Sequence, residues 1–330
     1  MVRFGILGFG LHAVKRLMPG FQQAKNCCVT ALSRRNLGNA QDSARKYGIP
    51  FAFGSPAELC SCPEVEAVLV ATPNACHFED VLLALECGKP VLCEKPMAID
   101  AQQCKQMLEA ASKAGILLGV AHVFRFAESV IRMRERVQSG EIGKPVFARC
   151  EFSYDGVQHP RRWINDPSLA GGGPIADVGV HCIDALRFVL DDEVQSVHAC
   201  GLSELSDQME SAAALTMKFH RGTLAAVLVS KRVAYRTPLE VVGEAGTLRA
   251  DDALSVERSV RLELLRKGVV ESEEVTNDQA YARQADAFAT AMEGKAHFAV
   301  PAEEGWRNQL VLDAAYRSLK TGRSEPIPEP

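Results

Sequence analysis

Val2-Arg3-Phe4-Gly5-Ile6-Leu7-Gly8-Phe9-Gly10-Leu11-His12-Ala13 is an apolar run of strand length, broken by two glycines and followed by a segment of helical period. Strand, glycine turn and helix, in that order, form the setting in which such a motif holds a dinucleotide. Glycine lets the backbone approach a pyrophosphate, and the first N–H groups of the helix are left to face the anion. The third position of the pattern is Ala13, a residue small enough for helix and strand to pack closely. A glycine-rich turn in an ordinary α/β protein is the plainer alternative, so the rest of the chain must decide.

Outward from this turn, short apolar runs at 29–32, 65–71, 91–93 and 116–121 alternate with helical patterns at 11–21, 40–47, 77–87 and 101–114. Near-continuous Val, Leu and Ala in the runs implies burial on both faces, as in a doubly wound parallel sheet. After Ala121 the texture changes. A helix over 126–138 leads to period-two runs at 146–152, 194–200, 212–219, 224–230, 239–242 and 256–264, with turn signals at Arg221-Gly222 and Glu244-Ala245-Gly246. That alternation predicts a large open, mainly antiparallel sheet with one solvated face. Further helices are expected around 174–190, from Tyr281 to Met292 and over 303–320, and the Pro-rich tail after Arg323 is expected to be loosely ordered. The fold class is α/β plus α+β. A Rossmann domain over 1–122 precedes an α+β substrate and oligomerisation domain over 123–330, a division that suits a chain of 330 residues.

Hydrophobic residues make up 47% of the chain and charged residues 24%, with a net charge of -4 and no long run of Lys or Arg. This balance excludes nucleic acid and anionic membrane as expected partners. No basic leader with an apolar core precedes the first strand and no apolar run reaches spanning length, so a cytoplasmic location is expected. The 11 cysteines are scattered, with close pairs at Cys27-Cys28 and Cys60-Ser61-Cys62. Neither pair has a second at zinc-ribbon spacing, so buried reduced thiols are expected and no metal site.

Three more segments carry chemistry. The second strand ends in Ser33-Arg34-Arg35, where an NAD enzyme would carry Asp or Glu for the ribose 2′-hydroxyl. A hydroxyl and two guanidinium groups suit a 2′-phosphate instead, which favours NADP over NAD, although two exposed arginines at a strand end would read the same way. Ala71-Thr72-Pro73-Asn74 with His77 lies at another strand end that borders the crevice; Asn74 and His77 could contact ligand, cap the next helix, or both. Cys93-Glu94-Lys95-Pro96 follows the next strand. Hydride transfer at an alcohol or ketone carbon needs a group that gives or takes a proton, and a lysine tuned by burial and neighbours can serve. Glu94 would fix the ammonium group or meet the ribose.

Gly171-Gly172-Gly173-Pro174 then leads into Asp177-Val178-Gly179-Val180-His181 and Asp184. In a helix from about 175, spacings of four and three put Asp177, His181 and Asp184 on one face. Such a line is either a satisfied buried network or an active-site wall.

The order and wording of these segments resemble the Gfo/Idh/MocA oxidoreductases, the family of glucose-fructose oxidoreductase, inositol dehydrogenase and 1,5-anhydrofructose reductase-like enzymes. The resemblance implies that Lys95, Asp177 and His181 are catalytic, with His181 a proton relay or hydroxyl ligand and Asp184 orienting it or a backbone group. It places Gly8, Gly10, Leu11, His12, Ser33, Arg34, Arg35, Ala71, Thr72, Pro73, Asn74, His77, Glu94, Lys95, Arg125, Trp163 and Tyr281 at the cofactor. It places Lys95, Tyr154, Arg162, Trp163, Asp177 and His181 at a sugar- or polyol-type substrate, with Arg161 in the same variable loop. Phe124 and His122 flank Arg125 where many relatives carry a polar residue, so substrate class departs from the pattern there.

The expected protein is an NAD(P)-dependent, preferably NADP-dependent, dehydrogenase or reductase of a sugar, cyclitol or related hydroxy/keto compound. The open sheet offers a surface for a homodimer or homotetramer. Two alternatives stay open: a sugar-responsive regulator that binds cofactor without turnover, and a redox-neutral glycosidase or epimerase with retained NAD. The intact trio weighs against the first, and Ser33-Arg34-Arg35 against the second.

Overall fold

In the computed structural model, which describes residues 1–156, 160–203 and 209–328, six strands form a wholly parallel sheet. They are β1 (Val2–Leu7), β2 (Cys27–Ser33), β3 (Phe51–Phe53), β4 (Ala67–Val70), β5 (Val91–Cys93) and β6 (Leu118–Val120), ordered β3-β2-β1-β4-β5-β6. This is the doubly wound order, with its topological switch between β1 and β4. Every residue of β4 and β5 is buried, as strands covered on both faces require. The helices between them have local causes. Asn36 accepts the Asn39 N–H ahead of the helix Leu37–Tyr47, and Asp100 accepts that of Gln103 ahead of Ala101–Ala114. Strand β3 and the short helix Pro56–Cys60 lack periodic patterns and were not expected; the latter is fixed by Pro56 and a Ser55/Glu58 capping box.

Ten strands form the second sheet: β7 (Pro145–Asp155), β8 (Val194–Ser203), β9 (Glu210–Phe219), β10 (Leu224–Ser230), β11 (Arg232–Arg236), β12 (Leu239–Gly243), β13 (Thr247–Ala250), β14 (Ser259–Arg266), β15 (Val269–Thr276) and β16 (Glu325–Pro326). Their order is β15-β14-β13-β12-β7-β10-β9-β8-β16, with β11 paired to β7. All pairings are antiparallel except β7 with β10. The fold class is therefore as the sequence implies. The tail is a correction, since Glu325 and Pro326 pair with Val197 and Ser196 of β8. One face of the sheet buries Cys150, Leu215, Val227, Val241 and Leu262 beneath the helices Glu128–Gln138 and Val180–Leu190.

The chain divides into two units, Met1–His122 with Tyr281–Trp306 and Val123–Ala280 with Arg307–Pro330. A boundary at 122/123 alone misses the second segment of the first unit. That segment packs there for clear reasons: Phe288 is fully buried between Phe4 and Phe298, at ring distances of 6.0 and 5.2 Å. Asp286 also accepts the backbone N–H groups of Lys25 and Asn26 at 2.8 and 2.7 Å. All eleven cysteines are free thiols, most of them buried; burial pushes Cys60, for example, up to about 12. No helix among the described residues is long and apolar enough to cross a membrane.

Candidate active site

In the first unit the carboxyl ends of four parallel strands converge. Gly8 follows β1 directly with φ at +77°, and a Cβ there would stand 2.7 Å from the Ala71 carbonyl oxygen and from Thr72. Only glycine allows both that conformation and that approach. A Cβ on Gly10 would have the Gly8 oxygen at 3.8 Å as its sole near neighbour, so the turn is open above its second glycine. Phe9 N–H donates to the Ser33 carbonyl at 3.0 Å, which ties the turn to the end of β2. The strand ends and the open glycine turn fit a dinucleotide: backbone can approach a pyrophosphate where a side chain would fill the space.

Beyond β2, Ser33 is buried, Arg34 is half-buried and Arg35 is exposed. Arg34 donates to the Ser43 hydroxyl at 2.9 Å, which holds its guanidinium on the following helix. Burial raises the Cys76 thiol, and Arg35 opposes that rise. Leu11 and His12 are half-exposed in the glycine turn, and Tyr281 lies edge-on to His12 at 6.1 Å.

His77 is buried, with its Nδ1 2.9 Å from the Pro96 carbonyl oxygen and its Nε2 3.0 Å from that of Thr72. Burial pushes its pKa down, against the pull of the two carbonyls. Its part is thus to bind the ends of β4 and β5 together. Asp80 reinforces this by accepting the Thr72 hydroxyl at 2.7 Å. The helix His77–Glu86 starts from Cys76, whose side chain makes no cap, and Asn74 is buried in the preceding turn.

Glu94 is buried, and its Oε1 lies 2.8 Å from His12 Nε2. Burial raises its carboxyl, but His12, Lys95 and His77 together outweigh that and hold it below the usual carboxylate range. Lys95 is half-buried, follows the carboxylate directly, and precedes Pro96 through a cis peptide bond. Its backbone N–H donates to Glu94 Oε2 at 3.3 Å. The His12–Glu94 contact, 82 residues apart, is invisible to motif spacing.

The second unit holds the other candidates. Residues Ile175–Gly179 form a π-helical turn that runs into the α-helix Val180–Leu190. Asp177 is half-buried and accepts the Tyr154 hydroxyl at 2.6 Å. Burial and that carboxylate push the Tyr154 phenol well up, so it remains a donor. His181 is buried, edge-on to Phe124 at 4.9 Å and stacked on Phe152 at 5.7 Å. Asp184 and Arg125 form a buried bidentate pair, with NH2–Oδ1 at 2.7 Å and Nε–Oδ1 at 3.0 Å. Each of the three has a distinct neighbour: Asp177 the Tyr154 phenol, His181 the rings of Phe124 and Phe152, and Asp184 the Arg125 guanidinium, with Arg187 Nη1 also 3.9 Å from its Oδ1. Arg125 also lies over the face of Phe188, 5.2 Å from its ring centroid. Arg162 is exposed on the loop, while Trp163 is half-buried beneath Arg161 at 5.9 Å.

A family model described as the oxidoreductase family, NAD-binding Rossmann fold, matches residues 2–122, and the GFO/IDH/MocA C-terminal domain matches residues 130–249. The chain belongs to the Gfo/Idh/MocA oxidoreductase family. It is 30% identical to a 1,5-anhydro-D-fructose reductase of Ensifer adhaerens over 99% of both chains. It is also 30% identical to a D-xylose 1-dehydrogenase (NADP(+)) of Haloferax volcanii, covering 97% of this chain and 98% of the relative. An aldose-aldose oxidoreductase from Caulobacter crescentus, solved with glycerol, superposes with a TM-score of 0.91 at 25% identity, covering 98% and 99% of the two chains. This Gfo/Idh/MocA protein is thus an oxidoreductase whose first unit is an NAD-binding Rossmann fold. The aromatic neighbours of His181 were not legible in the sequence, where Phe124 reads only as a residue flanking Arg125 and Phe152 as the end of a period-two run.

Proposed function

We propose that the protein is an NADP-dependent dehydrogenase or reductase acting on a sugar, cyclitol or related hydroxy/keto compound. The observation that carries the reading is the convergence of the open glycine turn, Arg34 and Arg35, and the Glu94–Lys95 turn at the carboxyl ends of one parallel sheet. Two full-length relatives bear the names of sugar-type oxidoreductases, which supports the substrate class. A bound nicotinamide supplies the acceptor or donor of hydride. Gly8 and Gly10 admit the pyrophosphate, and Arg35, the more exposed guanidinium, takes the 2′-phosphate. Glu94, ionised beside His12, accepts a ribose hydroxyl or holds the Lys95 ammonium. Lys95 gives its proton to the oxygen of a carbonyl being reduced, and as the free amine removes it from an alcohol being oxidised. His181 orients a substrate hydroxyl from between its aromatic neighbours, and Asp177, fixed by Tyr154, accepts a second.

The open face of the second sheet supports self-association as a homodimer or homotetramer. Phe147 on β7 and Leu224 on β10 are paired neighbours, 54% and 48% exposed. Light scattering of the purified chain measures this.

Titration with NADPH and NADH, read by fluorescence, tests the cofactor. NADPH is expected to bind tighter, and Arg35→Ala to weaken it by about 1.5–3 kcal/mol, roughly 10- to 150-fold, while leaving NADH unchanged. Equal loss for both would remove the 2′-phosphate assignment. Turnover on an aldose, ketose and cyclitol panel tests the chemistry. Binding without turnover would favour a regulator, and tightly retained oxidised NAD a redox-neutral enzyme.

A further inference from the structure

Two residues far from the motifs hold the entrance of the turn that displays Asp177. Glu210, the first residue of β9, is 4% exposed. Its Oε1 accepts the Ile175 N–H at 2.9 Å and the Tyr316 hydroxyl at 3.1 Å, and its Oε2 accepts the Gly173 N–H at 3.2 Å. The Tyr316 oxygen in turn accepts the Ala176 N–H at 3.2 Å. These amides lie in and just before the first turn, where a helix leaves N–H groups without partners of its own. A carboxylate is also the favoured charge at that end of a helix.

The same pair explains two glycines of the Gly171-Gly172-Gly173-Pro174 run. A Cβ on Gly172 would stand 1.9 Å from the Tyr316 hydroxyl, and one on Gly173 would stand 2.1 Å from the Glu210 carbonyl oxygen. The backbone is therefore pressed directly onto the carboxylate and phenol, with no room for a side chain between. The π turn starts where these contacts put it, and Asp177 follows the last of the held amides, Ala176, by one residue.

We propose that Glu210 and Tyr316 are positioning residues for the reaction. They fix the start of the Ile175–Gly179 turn, and with it the directions of Asp177 and His181, without themselves meeting the substrate. The inference rests on the assignment of Asp177 and His181 to the substrate. A displacement of about 1 Å at a reacting group can cost 100-fold in rate, so a lost cap reads out in kcat rather than in cofactor affinity.

The test uses the full chain with NADPH and the best substrate of the panel. Tyr316→Phe and Glu210→Ala are expected to lower kcat by about 10-fold or more, with the dinucleotide Kd unchanged. Glu210→Gln keeps an oxygen for Ile175 and Tyr316, and is expected to recover most of the Glu210→Ala loss. His181→Ala is run beside them. An inactive His181→Ala with full kcat in both Tyr316→Phe and Glu210→Ala overturns the cap alone. Wild-type kcat in His181→Ala overturns the functional reading, and with it the site these residues would position. Should Glu210→Ala not fold, Tyr316→Phe carries the test, and full kcat in that variant overturns the proposal. An equal fall in kcat and in dinucleotide affinity also overturns it, because general loosening would then explain the defect.

Discussion

The two units hold their candidate residues in different ways. In the first, backbone meets backbone or a single side chain at strand ends: Gly8 against Ala71 and Thr72, Phe9 on Ser33, His77 between the carbonyls of Pro96 and Thr72. In the second, side chain meets side chain across the fold: Tyr154 on Asp177, Arg125 on Asp184, His181 between Phe124 and Phe152. A site made of strand ends keeps its shape when one displayed side chain is removed. A site made of paired side chains does not, because each group is the other's solvent substitute.

Lys95 gives the largest expected effect and the sharpest form of that contrast. Two contacts that hold the turn that displays it, His77 on the Pro96 carbonyl and the Lys95 backbone N–H on Glu94 Oε2, are made without the ammonium group. Lys95→Ala should therefore lower kcat by roughly 10²–10⁴-fold, with dinucleotide affinity and thermal midpoint close to wild type. Near-normal turnover would take Lys95 out of the mechanism. A matching loss of cofactor affinity would mean that the turn depends on its side chain after all.

Arg125 probes the second unit. Its side chain is 8% exposed and that of Asp184 2%, so water cannot replace either partner. Arg125→Ala leaves a buried carboxylate opposite a void, and should cost about 3–5 kcal/mol in denaturant unfolding. Replacing both, as Arg125→Met with Asp184→Leu, should recover part of that loss, since the buried carboxylate goes with its partner while Arg187, 3.9 Å from Asp184, keeps Glu193. A single variant that unfolds like wild type would show the pair to be dispensable, and the contrast between the units would fail with it.

This difference also governs what could be read from the chain beforehand. Glycine turns, strand runs and the Glu-Lys-Pro segment are local, because backbone geometry demands particular residues at particular places. The parallel sheet and its crevice were legible for that reason. Strand β15 was not: Val269–Thr276 is an exposed edge rich in glutamate, as edges that resist further pairing are, and lacks an apolar alternation. The partner of Asp184 was not legible either. Helical spacing placed it beside His181, but nothing in sequence says that a buried aspartate will meet an arginine 59 residues earlier. The segment Tyr281–Trp306 read as part of the second domain because chain order says nothing of which core Phe288 will enter.

The smallest effect tests a place where the first unit, too, relies on a side-chain pair far apart in sequence. Glu94 lies below the usual carboxylate range because His12, with Lys95 and His77, outweighs the burial that would raise it. A carboxyl whose folded value is depressed stabilises the fold above its unfolded value, and that stability is lost as pH falls through the folded one. Without His12 the opposing effect of burial gains weight, so the Glu94 carboxyl rises and the acid loss begins at higher pH. His12→Ala should therefore melt lower than wild type as pH is reduced between about 7 and 3, by an amount near 1 kcal/mol for each unit of the rise. At neutral pH the two should differ less, since Glu94 keeps Lys95 and its charge. Parallel melting curves across the whole range would mean that Lys95 and His77 alone hold Glu94 ionised, and that the His12–Glu94 pair is dispensable to the first unit.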